Sequence, residues 1–224
     1  MKSKILVLSR YSNNNFNYLL WNFGDVVYDE ELLWKDPESI QLVVFSGGAD
    51  VSPALYGEKK EAKTIPDAKR DIRETVAFYK AKNLGIPMFG ICRGFQFLNV
   101  MNGGKLVQHI DGHDKGNHNC FLDKLDGSSL VAYTNTFHHQ AIVPTEDTKV
   151  LGWSYLNYTS NDKVIEAAYF PKIKAIGVQY HPECMLKKEE GFQYSIDLIN
   201  EVMNRSRPKP QLTWDGYIVP RKIN

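Results

Sequence analysis

The run Ile86-Pro87-Met88-Phe89-Gly90-Ile91-Cys92-Arg93-Gly94-Phe95-Gln96-Phe97-Leu98-Asn99-Val100-Met101 passes from a short apolar strand, through two glycines that bracket a cysteine, into a segment of helical character. Small residues on both sides let the backbone turn sharply, as in a nucleophile elbow that lifts a sulfur above the sheet edge. The N-terminus of the following helix is electropositive and can draw a thiol pKa from roughly 8.5 toward about 4–7. A cysteine between glycines also suits a small packing residue; the strand before it and the helix after it favour the nucleophile. That helix is apolar nearly all round, which suits burial beneath the site, and Asn102-Gly103-Gly104 stops it.

Working outward, His181-Pro182-Glu183 follows another apolar run, residues 175–180, and completes a candidate catalytic set of Cys92, His181 and Glu183. The histidine would take the thiol proton and return it to the leaving group, and the glutamate would hold the imidazole tautomer. An isolated His-Pro-Glu is equally a surface turn, so its weight comes from the elbow. A carbonyl under attack needs preset donors, here the backbone N–H of Arg93 and one more from the loop Ser46-Gly47-Gly48-Ala49-Asp50 after the apolar run 42–45.

Short apolar runs at 5–8 and 42–45 read as buried strands of a parallel sheet, and 131–133, 164–170 and 175–180 as further strands. Ala68, Ile72, Val76 and Tyr79 fall at helical spacing, with Gly85 placed to end that helix. Phe192, Ile196, Ile199 and Met203 mark one face of a closing helix. Alternating strands and helices imply an α/β fold: a central, mostly parallel sheet flanked by helices in a single domain. The polar, turn-rich segment 111–126 reads as a loop over the sheet edge. We expect a catalytic domain over residues 1–205 and an appended tail over 206–224, whose aromatic residues suit docking on its own domain or on a second copy of the chain.

Composition narrows the function. In 224 residues, 27 Lys and Arg balance 26 Asp and Glu, so no global field recommends nucleic acid or an anionic membrane, and a small molecule is the expected partner. Four consecutive apolar residues near the N-terminus are too few for a signal-peptide core or a span, and three cysteines form no disulfide framework; the expected location is cytoplasmic. His109, His113, His118 and Cys120 lie close in sequence, but their spacing matches no standard zinc pattern, so no metal is expected. The run Asn135-Thr136-Phe137-His138-His139-Gln140 follows a strand and reads either as a polar pocket wall or as a surface turn.

Together these motifs resemble class I glutamine amidotransferases and, more closely, the γ-glutamyl hydrolase branch typified by γ-glutamyl-γ-aminobutyrate hydrolases. The resemblance covers about residues 42–185. In order, it rests on the segment from Ser46 to Gly57, on Arg70-Asp71, on the lead-in strand and elbow through Gln96, on the segment from Asn135 to Ile142, and on Gly177-Val178-Gln179-Tyr180-His181-Pro182-Glu183. It implies a flavodoxin-like α/β domain, a γ-glutamyl thioester on Cys92 resolved by water, and no cofactor. It assigns Gly48 and Arg93 as oxyanion donors, Gln96 as a contact to the α-amino or α-carboxylate end of the glutamyl group, and His138 and His139 to a loop closing over that end. The implied function is hydrolysis of a small γ-glutamyl amine with release of glutamate. The alternative is a glutaminase subunit that passes ammonia to a synthetase partner. A third, non-enzymatic reading would keep the fold without turnover, and the complete triad speaks against it.

Overall fold

Apolar runs too short for helices form the inner strands of a nine-stranded sheet in the order β2-β1-β3-β4-β11-β10-β9-β6-β7. A computed structural model describes residues 3–9, 14–157 and 161–204 of the chain; the expected tail over 206–224 lies outside the described residues. In chain order the strands are β1 Lys4–Leu8, β2 Asp25–Val27, β3 Ile40–Phe45, β4 Met88–Ile91, β5 Lys105–Val107, β6 Asn117–Asp123, β7 Ser129–Asn135, β8 Ala141–Val143, β9 Lys149–Tyr155, β10 Lys163–Phe170 and β11 Ala175–Val178. The helices are α1 Asn14–Leu20, α2 Leu32–Lys35, α3 Ala68–Asn83, α4 Arg93–Met101 and α5 Glu190–Asn204.

The period of two along a strand divides the core between the two faces of the sheet. Ile5 and Val7 of β1 pack with Phe16 and Leu19 of α1 and Phe192 and Ile199 of α5. Leu6 and Leu8 pack on the other face with Phe78 of α3 and Phe95 and Leu98 of α4. The result is one α/β domain, a sheet between two helical layers.

The sheet is mixed rather than mostly parallel. From β2 to β11 the neighbours run parallel; from β11 to β7 every pairing is antiparallel. Connections too short for a crossover helix, such as residues 124–128 between β6 and β7, enforce the antiparallel half. Within the segment read as a loop, only its first part is one. Asn117–Asp123 is β6, paired with both β7 and β9. Cys120 and Leu122 fill the core face, and the polar Asn117, His118 and Asn119 ahead of them made the strand read as loop.

Following the pairings, the carboxyl ends of β4, β7, β9 and β11 and the amino ends of β6 and β10 share one edge of the sheet. Cys92 and His181 stand at that edge, just past β4 and β11.

Candidate active site

Cys92 sits at φ 50°, ψ −109°, as the residue that caps α4. A residue with a side chain seldom holds positive φ, and such strain persists only where its surroundings impose it. Here the strand and helix do so: Cys92 N–H donates to the Val178 carbonyl at 2.9 Å, and Gln96 N–H donates to the Cys92 carbonyl at 3.1 Å. The flanking glycines are required by contact. A Cβ on Gly90 would lie 2.7 Å from the Phe95 Cα, and one on Gly94 would run into the Phe45 carbonyl.

His181 follows β11, and its Nδ1 lies 2.8 Å from Oε1 of Glu183. The Cys92 side chain lies close enough to the imidazole to raise its pKa. Burial disfavours the imidazolium, but the hydrogen bonds and charges of Cys92 and Glu183 outweigh it and push the His181 pKa up to about 11. Asn135, at the end of β7, grips the His181 backbone from both sides: its Nδ2 donates to the carbonyl at 2.9 Å, and its Oδ1 accepts from the N–H at 2.8 Å. The ring of Phe137, half exposed at the rim, meets the imidazole edge to face at 5.9 Å.

The glycine loop lies against the same histidine. A Cβ on Gly47 would stand 2.6 Å from His181 Cε1. Arg70 of α3 holds this loop, donating from Nη1 to the Gly47 carbonyl and from Nη2 to the Ser46 carbonyl, each at 2.8 Å. In a trans peptide the carbonyl of one residue and the N–H of the next point in opposite directions. Drawing the Gly47 carbonyl toward Arg70 therefore turns the Gly48 N–H away from it. Gly48 has φ +145°, and a Cβ there would collide with the Arg70 guanidinium.

Arg70 belongs to a buried quartet under the elbow. It pairs with Glu74 at 2.6 Å; Arg93 pairs with Glu74 and with Asp71; and Asp71 accepts from the Ser52 N–H at 2.9 Å. Two guanidiniums and two carboxylates balance in charge with almost no exposure. The apolar stripe of α3 faces the other way, with Ile72, Val76 and Tyr79 all more than half exposed. Arg70 and Asp71 entered the sequence reading only as part of the resemblance, with no role given, and Glu74 was not named; four charges within five positions ahead of a cysteine elbow were the available signal.

The remaining expected contacts occupy different depths. The Gln96 Nε2 donates to the Gln140 carbonyl and to Gln179 Oε1, both at 3.2 Å, deep in the protein. His138 is buried, with Nδ1 2.9 Å from the Gln140 carbonyl, and burial lowers its pKa to about 4. His139 lies at the rim, its Nε2 3.2 Å from Asp50. Of the four clustered candidates for metal ligation, His113 and His118 converge on Glu166, whereas His109 sits between His139 and Asp111 and Cys120 contacts Thr134. Among the described residues, no helix is long and apolar enough to cross a membrane.

Residues 27–183 match the family model described as peptidase C26. The glutamine amidotransferase-like protein YvdE of Lactococcus lactis is 32% identical over 168 residues, which are 67% of this chain and 69% of that protein. A Schizosaccharomyces pombe protein, PB2B2.05, that carries the name of a glutamine amidotransferase is 30% identical in an alignment that covers 92% of this chain and 88% of that protein. Among solved structures, PurLQS from Thermotoga maritima superposes with a TM-score of 0.60 at 18% identity, over 90% of this chain and 100% of that one, a likeness of fold.

Proposed function

We propose that this chain, which belongs to the peptidase C26 family and is a cysteine-dependent hydrolase of the glutamine amidotransferase type, opens the γ-amide of a γ-glutamyl substrate through a thioester on Cys92. The observation that carries the reading is the strained Cys92 at the head of α4, beside a histidine that Glu183 holds from behind. A cationic His181 beside the sulfur favours the thiolate, which attacks the γ-carbonyl. The backbone N–H groups of Gly48 and Arg93 receive the oxyanion, and His181 protonates the departing nitrogen. Water, activated by the now neutral His181, cleaves the thioester and releases glutamate. The parallel order β2-β1-β3-β4-β11 supports a flavodoxin-like arrangement, in which ligands sit beyond the carboxyl ends of the strands.

The names borne by the relatives support glutamine as the amide, and the first reading makes a synthetase partner the receiver of the ammonia. A second reading is a free-standing hydrolase of a substituted γ-glutamyl amine. It draws support from a cavity of about 670 Å³ on the same sheet edge, lined by residues that include Asn117, Tyr133 and Tyr155, with room for a leaving group larger than ammonia.

Glutamate release by the isolated chain, from glutamine and from a panel of γ-glutamyl amines, tests both. Loss of release in Cys92→Ala is expected; unchanged release would overturn the thioester. Slow glutamine turnover that rises with an added synthetase supports the first fate. Fast turnover of a substituted amide by the chain alone supports the second.

A further inference from the structure

We propose that His113, His118, His138 and Glu166 form a four-ligand site for a divalent transition metal of the zinc class, behind the loop that closes the active site. The outward nitrogens of two of the histidines are committed to backbone carbonyls: His113 Nε2 lies 3.1 Å from the Leu156 carbonyl, and His138 Nδ1 lies 2.9 Å from that of Gln140. A carbonyl only accepts, so each of these nitrogens carries the hydrogen, and in the neutral ring the other nitrogen presents a lone pair inward. Those two inward atoms, His113 Nδ1 and His138 Nε2, face each other at 3.3 Å. Two acceptors do not bond each other, and a cation between them satisfies both.

Glu166 supplies the charge to hold it. The carboxylate is fully buried; Oε1 lies 3.3 Å from His118 Nε2, 3.6 Å from His113 Nδ1 and 3.9 Å from His138 Nε2. Its Oε2 has no hydrogen-bond partner among the described residues. Zinc–ligand bonds of roughly 2.0–2.1 Å at tetrahedral angles separate neighbouring donor atoms by about 3.3 Å; the ligand atoms of His113, His118 and Glu166 lie within 4.8 Å of one another and His138 Nε2 lies 3.3 Å from His113 Nδ1, so the side chains must draw together to close on a metal. The supporting contacts are those metal-binding histidines and carboxylates use: carbonyls behind the imidazoles, and Ser154 Oγ donating to Glu166 Oε1 at 2.8 Å. Three imidazoles with one carboxylate suit zinc, and cobalt as its stand-in, over calcium or magnesium, which prefer oxygen.

Four protein ligands leave no open position, so the site is structural. It joins β6 and β10 to the loops at 112–116 and 136–140. Two bonds carry this bracing toward the catalytic groups. The Gln140 carbonyl that receives His138 also receives Gln96, and the Glu166 carbonyl accepts from the Gln179 N–H at 2.8 Å, two residues before His181. His113 and His118 border the cavity described above, which gives the ion a way in.

The test is titration of chelator-treated full-length protein with Co²⁺ and Zn²⁺, following visible absorption, bound metal and Tm. The expected result is about one equivalent of Co²⁺ with the d–d bands of a four-coordinate nitrogen and oxygen site, displaced by Zn²⁺, and a rise in Tm that saturates at the same ratio. Glu166→Gln and His118→Ala should each weaken binding at least about tenfold, while His181→Ala retains it. No uptake at micromolar free metal would overturn the site and leave a shared proton in the cluster. A sulfur-to-cobalt charge-transfer band, or loss of uptake in His181→Ala alone, would overturn it in favour of Cys92 or Cys184 beside the triad. Should a variant fail to fold, the spectrum and Tm of the unaltered chain still decide.

Discussion

Asn135 holds His181 by both of its backbone groups, at 2.9 and 2.8 Å, so the end of β7 sets where the imidazole stands at the end of β11. These two strands are not neighbours in the sheet; three strands lie between them. The clamp carries alignment across that distance. In Asn135→Ala, kcat for glutamate release should fall by about 10²-fold with KM little changed, since a misplacement of about 1 Å has that effect on near-attack geometry. Unaltered kcat would show that Pro182 and Glu183 suffice.

Gly47→Ala places a methyl carbon 2.6 Å from His181 Cε1, a separation that real contacts do not tolerate. Either the loop or the imidazole must move, and each holds one part of the proposed machinery. A loss of kcat of about 10²-fold or more is expected, with a Tm shift of only a few degrees, because the change is small and the loop lies at the sheet edge. Steady-state kinetics and thermal melting read the two effects separately.

Arg70→Lys keeps the charge opposite Glu74 and removes the two-pronged grip on the Ser46 and Gly47 carbonyls. The Gly48 N–H then loses its fixed direction. Loss of one aligned oxyanion donor lowers kcat by about 10²–10³-fold. A kcat within twofold of the unaltered enzyme would remove Arg70 from the positioning role.

Thiol labelling separates the cysteines. Burial raises the Cys120 thiol well above its ordinary value, and burial with the Glu183 charge raises that of Cys184, although Cys184 is exposed. The His181 cation stands beside Cys92, whereas its charge on Cys184 is outweighed by burial and Glu183. Iodoacetamide at pH 7 should therefore modify Cys92 first, as read by peptide mass spectrometry. Cys184 reacting faster would mean that access, rather than thiolate character, governs the rate.

His181 rises from 6.5 to about 11 on folding, so the native state holds a proton that the unfolded chain releases. Its contribution to stability is complete below pH 6.5 and is lost as pH climbs through about 11. The gap in Tm between the unaltered protein and His181→Gln should accordingly shrink from pH 7 to pH 10. A gap constant with pH would contradict the raised value.

The elbow and the two inner strands were legible because their chemistry is local: glycines around a cysteine, and apolar runs bounded by turns. β6 was not, although it lies inside the sheet. β6 carries Asn117, His118 and Asn119, which read as loop until the pairing with β7 and β9 supplies the missing half of its hydrogen bonds. α3 was found by its periodicity, yet the stripe that revealed it points to solvent, because the first half of the inward face is given to the ion pairs of Arg70, Asp71 and Glu74, and only Ala77, Phe78 and Ala81 complete it with apolar contacts. His138 and His139 are adjacent in sequence and were assigned together; alternation at the end of a loop sends one into the core and leaves the other at the rim.

The buried quartet of Arg70, Asp71, Glu74 and Arg93 also limits how this chain can diverge. Replacing any single member with a neutral residue strands an uncompensated charge in a dry interior, at about 3–5 kcal/mol, a large share of the stability of an ordinary domain. Exchange of an acid together with a base keeps the sum at zero and is far milder. Substitutions beneath the elbow should therefore travel in opposite-sign couples, and Cys92 inherits its position from partners that change only in step.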